Sequence, residues 1–113
     1  MKRAGLGEFE ETLLLIVGIL GNEAYALNVA DEFEEQTKRV TSIGAVHSTL
    51  NRLSKKGFLI SKMGEPTPER GGRRKRIYEI TAEGYRALEQ SKELKISLWS
   101  QFPAFPDFKL EIN

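Results

Sequence analysis

Residues 41–80 decide the fold, and they read TSIGAVHSTLNRLSKKGFLISKMGEPTPERGGRRKRIYEI. The first part of this stretch has apolar residues at helical spacing, at Ile43, Val46, Leu50 and Leu53. Thr41 or Ser42 can cap the N-terminus of such a helix. The run Lys55-Lys56-Gly57 indicates its end, because cations suit the last helical turn and glycine often follows it. We therefore predict a helix with one apolar side.

A β-hairpin is predicted to follow this helix. Phe58–Met63 and Lys75–Ile80 are both rich in β-branched and aromatic residues, as strands are. The loop between them contains Pro66, Pro68, Gly71 and Gly72. Proline and glycine at these positions favour a loop over continued regular structure.

Three further helices are predicted around this central stretch, at Glu8–Leu20, Ala26–Lys38 and, with Thr81 as its cap, up to Gln101. The inner side of the second helix is expected to carry Leu27, Ala30, Phe33 and Thr37. The order helix, helix, helix, hairpin, helix is the winged helix-turn-helix arrangement, a mainly α (α+β) fold, although other small α+β domains share this order. We predict a winged helix-turn-helix domain over 1–80, a C-terminal dimerisation helix over 81–101 and a short tail over 102–113.

Length and composition restrict the class of protein. A chain of 113 residues suits one compact domain. The absence of cysteine excludes disulfides and thiolate metal sites. The N-terminus has no signal-peptide core, and the longest apolar run, Leu13 to Leu20, is too short to span a bilayer. We expect a soluble, cytoplasmic protein with no cofactor, and no enzyme, since His47 is the only histidine and no catalytic group surrounds it.

Charge is segregated along the chain although the net charge is only +1. Residues 40–76 carry nine Lys and Arg against two Asp and Glu, whereas residues 1–39 carry four against eight. A local basic block can attract an anionic surface even when the whole chain is nearly neutral. A basic surface that is merely solvated remains the alternative at this point.

The polar side of the third helix predicts contacts with DNA. Small residues at its N-terminal end permit close approach to base edges in a major groove, and Ser48 and Asn51 can hydrogen-bond bases or phosphates. Arg52 and Lys55 can neutralise phosphates. An ordinary amphipathic helix with a solvated face is the competing interpretation. The residues predicted to bind DNA on this helix are Ser42, Gly44, Ala45, His47, Ser48, Asn51, Arg52 and Lys55.

The hairpin loop indicates DNA binding more strongly than the third helix does. Residues 70–76 hold five cations beside two glycines, and a turn needs glycine but has little structural need for five cations. Long basic side chains on a protruding loop suit phosphates or a narrow minor groove. The loop residues predicted to bind DNA are Arg70, Arg73, Arg74 and Lys75.

The first helix is apolar nearly all round, which is typical of a helix buried on more than one side. In so short a chain the second side is expected to contact another protomer. Trp99, the only tryptophan, lies late in the last helix and is assigned to the same contact, with stacking on a flat ligand as the alternative. The predicted dimer interface consists of Phe9, Leu13, Ile16, Leu20, Leu94, Leu98 and Trp99.

From about Leu6 to Gln90 the sequence resembles the PadR family of winged-helix transcriptional regulators. The resemblance lies in LGEFEE at 6–11, AYAL at 24–27, GAVHSTLNRL at 44–53, GEPTPERGGRRKR at 64–76, Tyr78, and TAEG at 81–84. It implies homodimers held by the first and last helices, bound to two operator half-sites, usually as repressors.

Two departures from the family pattern are visible. The family usually has tyrosine at the position of His47, which alters a predicted DNA contact. Many members also carry a long C-terminal helical domain, whereas this sequence fits the short subfamily. Some short members bind flat aromatic compounds at the dimer interface, and the resemblance places Trp99 in a comparable position.

Three functions from different classes follow as hypotheses. The leading one is a sequence-specific regulator, a repressor that binds operator DNA as a homodimer. The second is a winged helix that binds a protein or another acidic surface. The third is a sensor of a small aromatic effector with its pocket between protomers, which can coexist with the first.

Overall fold

The structure is a computed structural model, and it describes residues 5–65 and 74–103. Its helices are α1 (Glu8–Leu20), α2 (Ala26–Thr37), α3 (Ile43–Lys55) and α4 (Ala82–Gln101). Its strands are β1 (Leu59–Met63) and β2 (Arg76–Ile80), and a short 3-10 turn at Gly21–Glu23 separates α1 from α2. This order confirms the predicted winged-helix fold, and the observed bounds differ from the predicted ones by one residue at most.

The strands pair antiparallel, with Leu59 opposite Ile80 and Met63 opposite Arg76. The paired ends near Met63 and Arg76 mark the base of the wing. The backbone N–H of Tyr78 donates to the carbonyl of Ala24 at 2.9 Å, which attaches β2 to the turn before α2. The wing is therefore held at a fixed distance from the helices.

The core fills the space between α1, α2, α3 and the inner face of the hairpin. Its largest fully buried side chains belong to Leu13, Leu14, Val17, Val29, Val46, Leu50, Leu53 and Leu59. Burial of a leucine side chain of this kind contributes roughly 2 kcal/mol. The phenyl rings of Phe9 and Phe33 meet edge to face at 5.2 Å and extend the core between α1 and α2.

Caps define the ends of the two helices that frame the hairpin. The Ser42 hydroxyl accepts from the N–H of Ala45 at 3.0 Å and begins α3, so Ser42 rather than Thr41 is the cap. Gly57 ends this element with φ of 84°, a backbone conformation that favours glycine. The Thr81 hydroxyl accepts from Gly84 N–H at 3.0 Å and donates to the Gly57 carbonyl at 2.7 Å. One threonine thereby joins the start of α4 to the end of α3.

Two predicted inner positions are wrong. Leu27 is 46% exposed, because α2 turns Ala26, Val29 and Phe33 towards the core instead. Ile43 is 44% exposed, because the first turn of α3, where it lies, is outside the core. The remaining apolar positions predicted on α3 are buried.

Two predicted interface positions on α1 are corrected as well. Leu13 and Ile16 were assigned to a contact between protomers, but the protomer's own core leaves them 0% and 2% exposed. Phe9 and Leu20 also pack against this core, partly buried. The exposed apolar residues of α1 are Leu15 and Ile19, on the other side of the helix.

Gly84 is expected to be the position of α4 least tolerant of a side chain. A Cβ there would overlap the carbonyl oxygen of Phe58 and press on Ile80 at 3.1 Å. Gly84→Ala should therefore lower the free energy of unfolding by about 2 kcal/mol, measured by urea denaturation. Gly44→Ala is the matched control, because its Cβ would meet only Ser42 Oγ at 4.0 Å. That change should raise stability by about 0.5–1 kcal/mol. Equal stability of Gly84→Ala and wild type would contradict this packing.

Candidate nucleic-acid interface

The solvent-facing side of α3 contains the residues that the sequence predicted there. Gly44, His47, Ser48, Asn51 and Lys55 are exposed, and Ala45 is half-buried. The opposite side, with Val46, Thr49, Leu50 and Leu53, is buried. The helix therefore presents small residues at its N-terminal end and a cation at its C-terminal end. Ser42 lies at the same end, with its oxygen already engaged as the cap.

The base of the wing lies beside this helix. A cleft of about 510 Å³ opens between the start of α2, the exposed side of α3 and the start of β2. Its lining includes His47 and Asn51 from α3 and Lys75 and Arg76 from the wing. The structure thus brings together predicted DNA-binding residues from two separate elements. The predicted contacts Arg70 and Arg73 lie outside the described residues.

The wing cations of the described residues are held to different degrees. The Lys75 ammonium lies 4.0 Å from the centre of the Tyr25 ring, a cation–π contact that fixes its position. Arg76 donates through Nη1 to the Ser61 hydroxyl at 3.0 Å on the paired strand. Arg74 is exposed. The wing therefore begins with two positioned cations next to one that faces solvent.

Arg52 does not share the surroundings of the other predicted contacts. Its Nε donates to Glu10 Oε2 at 2.8 Å, and its Nη2 donates to Thr49 Oγ1 at 3.3 Å. The Lys56 ammonium binds the same carboxylate at 3.0 Å and also donates to the Gly5 carbonyl at 2.8 Å. Two cations at the end of α3 are therefore directed towards α1, where one carboxylate offsets half of their charge.

Glu10 is a buried charge, with 8% of its side chain exposed. Burial by itself would raise the pKa of this carboxyl. The N–H of Gly7, which donates at 2.9 Å, and the cations of Arg52 and Lys56 outweigh burial and lower the pKa to about 2. Sequence reasoning missed this residue. A signal was present, since Glu10 lies three, four and seven positions before Leu13, Leu14 and Val17 and hence on the apolar side of α1.

A second ion pair attaches α4 to α1. The Lys95 ammonium contacts Glu11 Oε1 at 2.6 Å, and the Ser91 hydroxyl donates to Oε2 at 2.9 Å. Burial opposes ionisation of Glu11, but the hydrogen bonds from Lys95 and Ser91 leave its pKa below its ordinary value. The contact sets the direction in which α4 leaves the domain.

Beyond this contact, α4 carries an apolar row that is exposed in the protomer. Leu94, Leu98 and Trp99 are 46%, 56% and 71% exposed. Trp99 also meets the Phe102 ring edge to face at 5.4 Å. These three residues continue the side of α4 that packs on α1 through Ser91 and Lys95, so the predicted interface residues of α4 share one side of the helix. Leu15 and Ile19 form the corresponding exposed pair on α1.

Other kinds of site find little support in the described part of the chain. Residues 5–65 and 74–103 contain no group of three or more His, Cys, Asp and Glu side chains that could hold a metal ion. Within the same residues, no helix is both long and apolar enough to cross a bilayer.

Comparison with known proteins gives a consistent result. Residues 14–90 match the model of the transcriptional regulator PadR-like family. A PadR-like transcription factor from Bacteroides fragilis superposes with a TM-score of 0.67 at 21% identity, covering 82% of this chain and 84% of that one. A Clostridium thermocellum transcriptional regulator gives 0.62 at 25% identity over 84% and 92%. The complex structure of hsRosR-SG gives 0.63 at 26% identity over 98% and 89%. No curated protein matches the sequence significantly.

The Glu10 cluster predicts a defined dependence of stability on pH. The pKa of Glu10 is about 2 in the folded state against an ordinary 4.5, so its stabilisation is complete above pH 4.5 and disappears as the pH falls towards 2. Glu10→Gln should cost about 2–3 kcal/mol at pH 7, measured by urea denaturation. The difference from wild type should shrink steadily below pH 4.5.

Glu34→Gln is the matched control, because Glu34 is exposed on α2. It should change stability by less than about 0.5 kcal/mol at any pH tested. A difference between wild type and Glu10→Gln that stays constant from pH 7 to pH 3 would show that the ionised carboxylate is not what stabilises the fold.

Proposed function

Because this DNA-binding transcriptional regulator belongs to the PadR-like family, we propose that it is a repressor that binds operator DNA as a homodimer. The observation that carries the proposal is the juxtaposition at the cleft, where α3 and the base of the wing contribute polar and basic residues to one surface. A duplex offers adjacent grooves to such a pair of elements. A regulator that acts on chromosomal DNA is also expected in the cytoplasm.

In this proposal α3 enters the major groove. Gly44 and Ala45 let its N-terminal end approach the base edges, while Ser48 and Asn51 read them by hydrogen bonds. His47 lies between this end of the helix and the wing, where it can contact a base or the backbone. Ser48 and Asn51 are thus the proposed determinants of sequence preference.

The proposed phosphate contacts come from Lys55 on α3 and from the wing cations, including Arg70, Arg73, Arg74 and Lys75. Lys55 is exposed, and no partner holds its ammonium among the described residues. Such side chains neutralise phosphates and release counterions, which makes binding depend on salt. Arg52 is reassigned, because its ion pair with Glu10 makes it a residue that positions α3.

The proposed dimer interface pairs the apolar row of α4 with the exposed side of α1. Leu94, Leu98, Trp99, Leu15 and Ile19 are each 46–71% exposed, which is unusual for large apolar side chains clustered on two adjoining helices. Burial of this surface in a two-fold dimer would present two α3 helices to half-sites about 34–36 Å apart. Occupancy of such an operator would exclude polymerase, which is the proposed basis of repression.

The two alternatives from the sequence stay predictions. The aromatic-effector hypothesis rests on Trp99, which is 71% exposed in the protomer and would adjoin the proposed interface. It adds an inducer to the repressor and does not replace it. The protein-interaction hypothesis needs the same basic surface to prefer an acidic protein over DNA. Salt-insensitive binding to a partner protein, with DNA unable to compete, would favour that hypothesis.

Lys55 and Arg52 make a matched pair for testing the DNA contacts. The purified protein should retard its own promoter fragment, and the logarithm of affinity should fall linearly with the logarithm of salt concentration. Lys55→Ala should reduce that slope by about one, because one phosphate contact is lost. Arg52→Ala should leave the slope unchanged while lowering the urea midpoint. If neither promoter DNA nor any other duplex is bound at low salt, the regulator proposal fails.

The apolar row on α4 predicts the oligomeric state. Leu98→Glu should convert the dimer to a monomer in sedimentation velocity, because a carboxylate would enter an apolar contact. Ile96→Glu is the control: two residues along a helix places Ile96 nearly opposite Leu98, although both are 56% exposed. We expect it to remain dimeric. A monomeric wild type, or equal effects of the two changes, would contradict the proposed interface.

A further inference from the structure

The cleft between α2, α3 and the wing contains a phenol without a hydrogen-bond partner. Tyr78 lines the cleft and is 4% exposed, yet among the described residues its hydroxyl neither donates nor accepts a hydrogen bond. Its backbone N–H donates to the Ala24 carbonyl. Buried polar groups are rarely left unpaired. No described residue pairs with this hydroxyl, so a ligand that enters the cleft can supply its partner.

The surroundings of this phenol select an anion. Burial raises the pKa of the Tyr78 hydroxyl, and the positive charge of Arg76 offsets part of that rise. Lys75 and Arg76 both line the cleft, and none of the described residues that line it carries a carboxylate. A neutral phenol can donate one hydrogen bond, and the two cations supply charge of one sign. A phosphate oxygen satisfies all three groups.

The cations in the cleft are positioned before any ligand arrives. Tyr25 holds the Lys75 ammonium at 4.0 Å from its ring centre, and Ser61 holds the Arg76 guanidinium at 3.0 Å. Neither partner carries charge, so both cations keep their full attraction for an anion. Lys75 is also half-buried, which limits how far its side chain can move. Preorganisation of this kind reduces the cost of ordering side chains on binding.

The position of the cleft identifies the anion. In a duplex, the sugar-phosphate backbone of one strand separates a major groove from the neighbouring minor groove. With α3 in the major groove and the wing at the minor groove, this strand must pass between them. The cleft lies at that place, with His47 and Asn51 on one wall and Lys75 and Arg76 on the other.

We propose that this cleft binds one backbone phosphate of the strand between the two grooves, through Lys75, Arg76 and the hydroxyl of Tyr78. Tyr25 acts as the positioning residue for Lys75. The inference rests on the proposed function, because it requires a bound duplex. It adds Tyr25, Arg76 and Tyr78, which were not among the residues predicted to bind DNA, to the proposed DNA-binding surface.

The test compares three variants on one duplex selected by the wild-type protein, with affinity measured by fluorescence anisotropy over a range of salt. Tyr78→Phe removes only the hydroxyl and should weaken binding about tenfold, because a hydrogen bond to a charged group is lost. Its salt slope should stay that of wild type. Lys75→Gln should reduce the slope by about one. Tyr85→Phe, at an exposed tyrosine of α4, should bind as wild type.

Neutral linkages then locate the phosphate. Each phosphate of the duplex is replaced in turn by a methylphosphonate, which lacks the charge. We expect one linkage between the grooves at which this replacement weakens DNA binding by the wild-type protein about tenfold. At the same linkage, the replacement should not weaken DNA binding by Lys75→Gln any further. Circular dichroism confirms that the variants are folded. If Tyr78→Phe is unfolded, the charge change in Lys75→Gln decides the matter.

The outcomes separate the two proposals. Wild-type affinity and slope in both Tyr78→Phe and Lys75→Gln, on a duplex that wild type binds, would overturn the phosphate site while leaving the regulator in place. Equal sensitivity of wild type and Lys75→Gln to every methylphosphonate would overturn it too. Failure of the wild-type protein to bind any duplex would instead overturn the proposed function.

Discussion

One buried carboxylate on α1 holds α3 in place. Glu10 receives the Arg52 guanidinium at 2.8 Å, the Lys56 ammonium at 3.0 Å and the Gly7 amide at 2.9 Å. A buried charge is tolerable only with such partners, so α3 cannot shift along α1 without leaving Glu10 uncompensated. Since α4 also contacts α1 through Glu11, α3 and the proposed dimer helix are fixed to the same element. The spacing between two α3 helices in a dimer would follow from this geometry.

The ion pairs of Glu10 also change which cations are available to contact an anion. By sequence, residues 40–76 form one basic block. In the folded protein these cations fall into three groups. Arg52 and Lys56 pair with the carboxylate of Glu10. Lys75 and Arg76 are positioned at the base of the wing, and Lys55 faces solvent. Net local charge therefore overstates the number of cations available for phosphates. Which cations can contact DNA depends on their partners, and those partners belong to other elements.

Most of the fold could be predicted from local patterns. The helix caps at Ser42 and Thr81, the terminating Gly57 and the alternation of the strands are encoded within a few residues of each element. The polar side of α3 was predictable for the same reason, because one helical period determines which side chains share a side. The prediction failed on α1, where two sides of the helix are apolar and the wrong one was assigned to the dimer interface. On α1 the row of Leu13 and Ile16 and the row of Leu15 and Ile19 look alike in sequence, and only packing against α2 and α3 buries the first. Glu10 and its cations are 42 and 46 residues apart, beyond any local signal.

In the proposed complex, the polar side of α3 and the base of the wing form one DNA-binding surface. Hydrogen–deuterium exchange of the protein with and without a duplex that it binds is the decisive measurement. We expect DNA to protect backbone amides at 43–55 and 74–78, together with the start of α2, and to leave the exposed acidic side of α2 around 31–35 unchanged. Protection confined to α4 or to that acidic side of α2, with α3 and the wing unaffected, would contradict it.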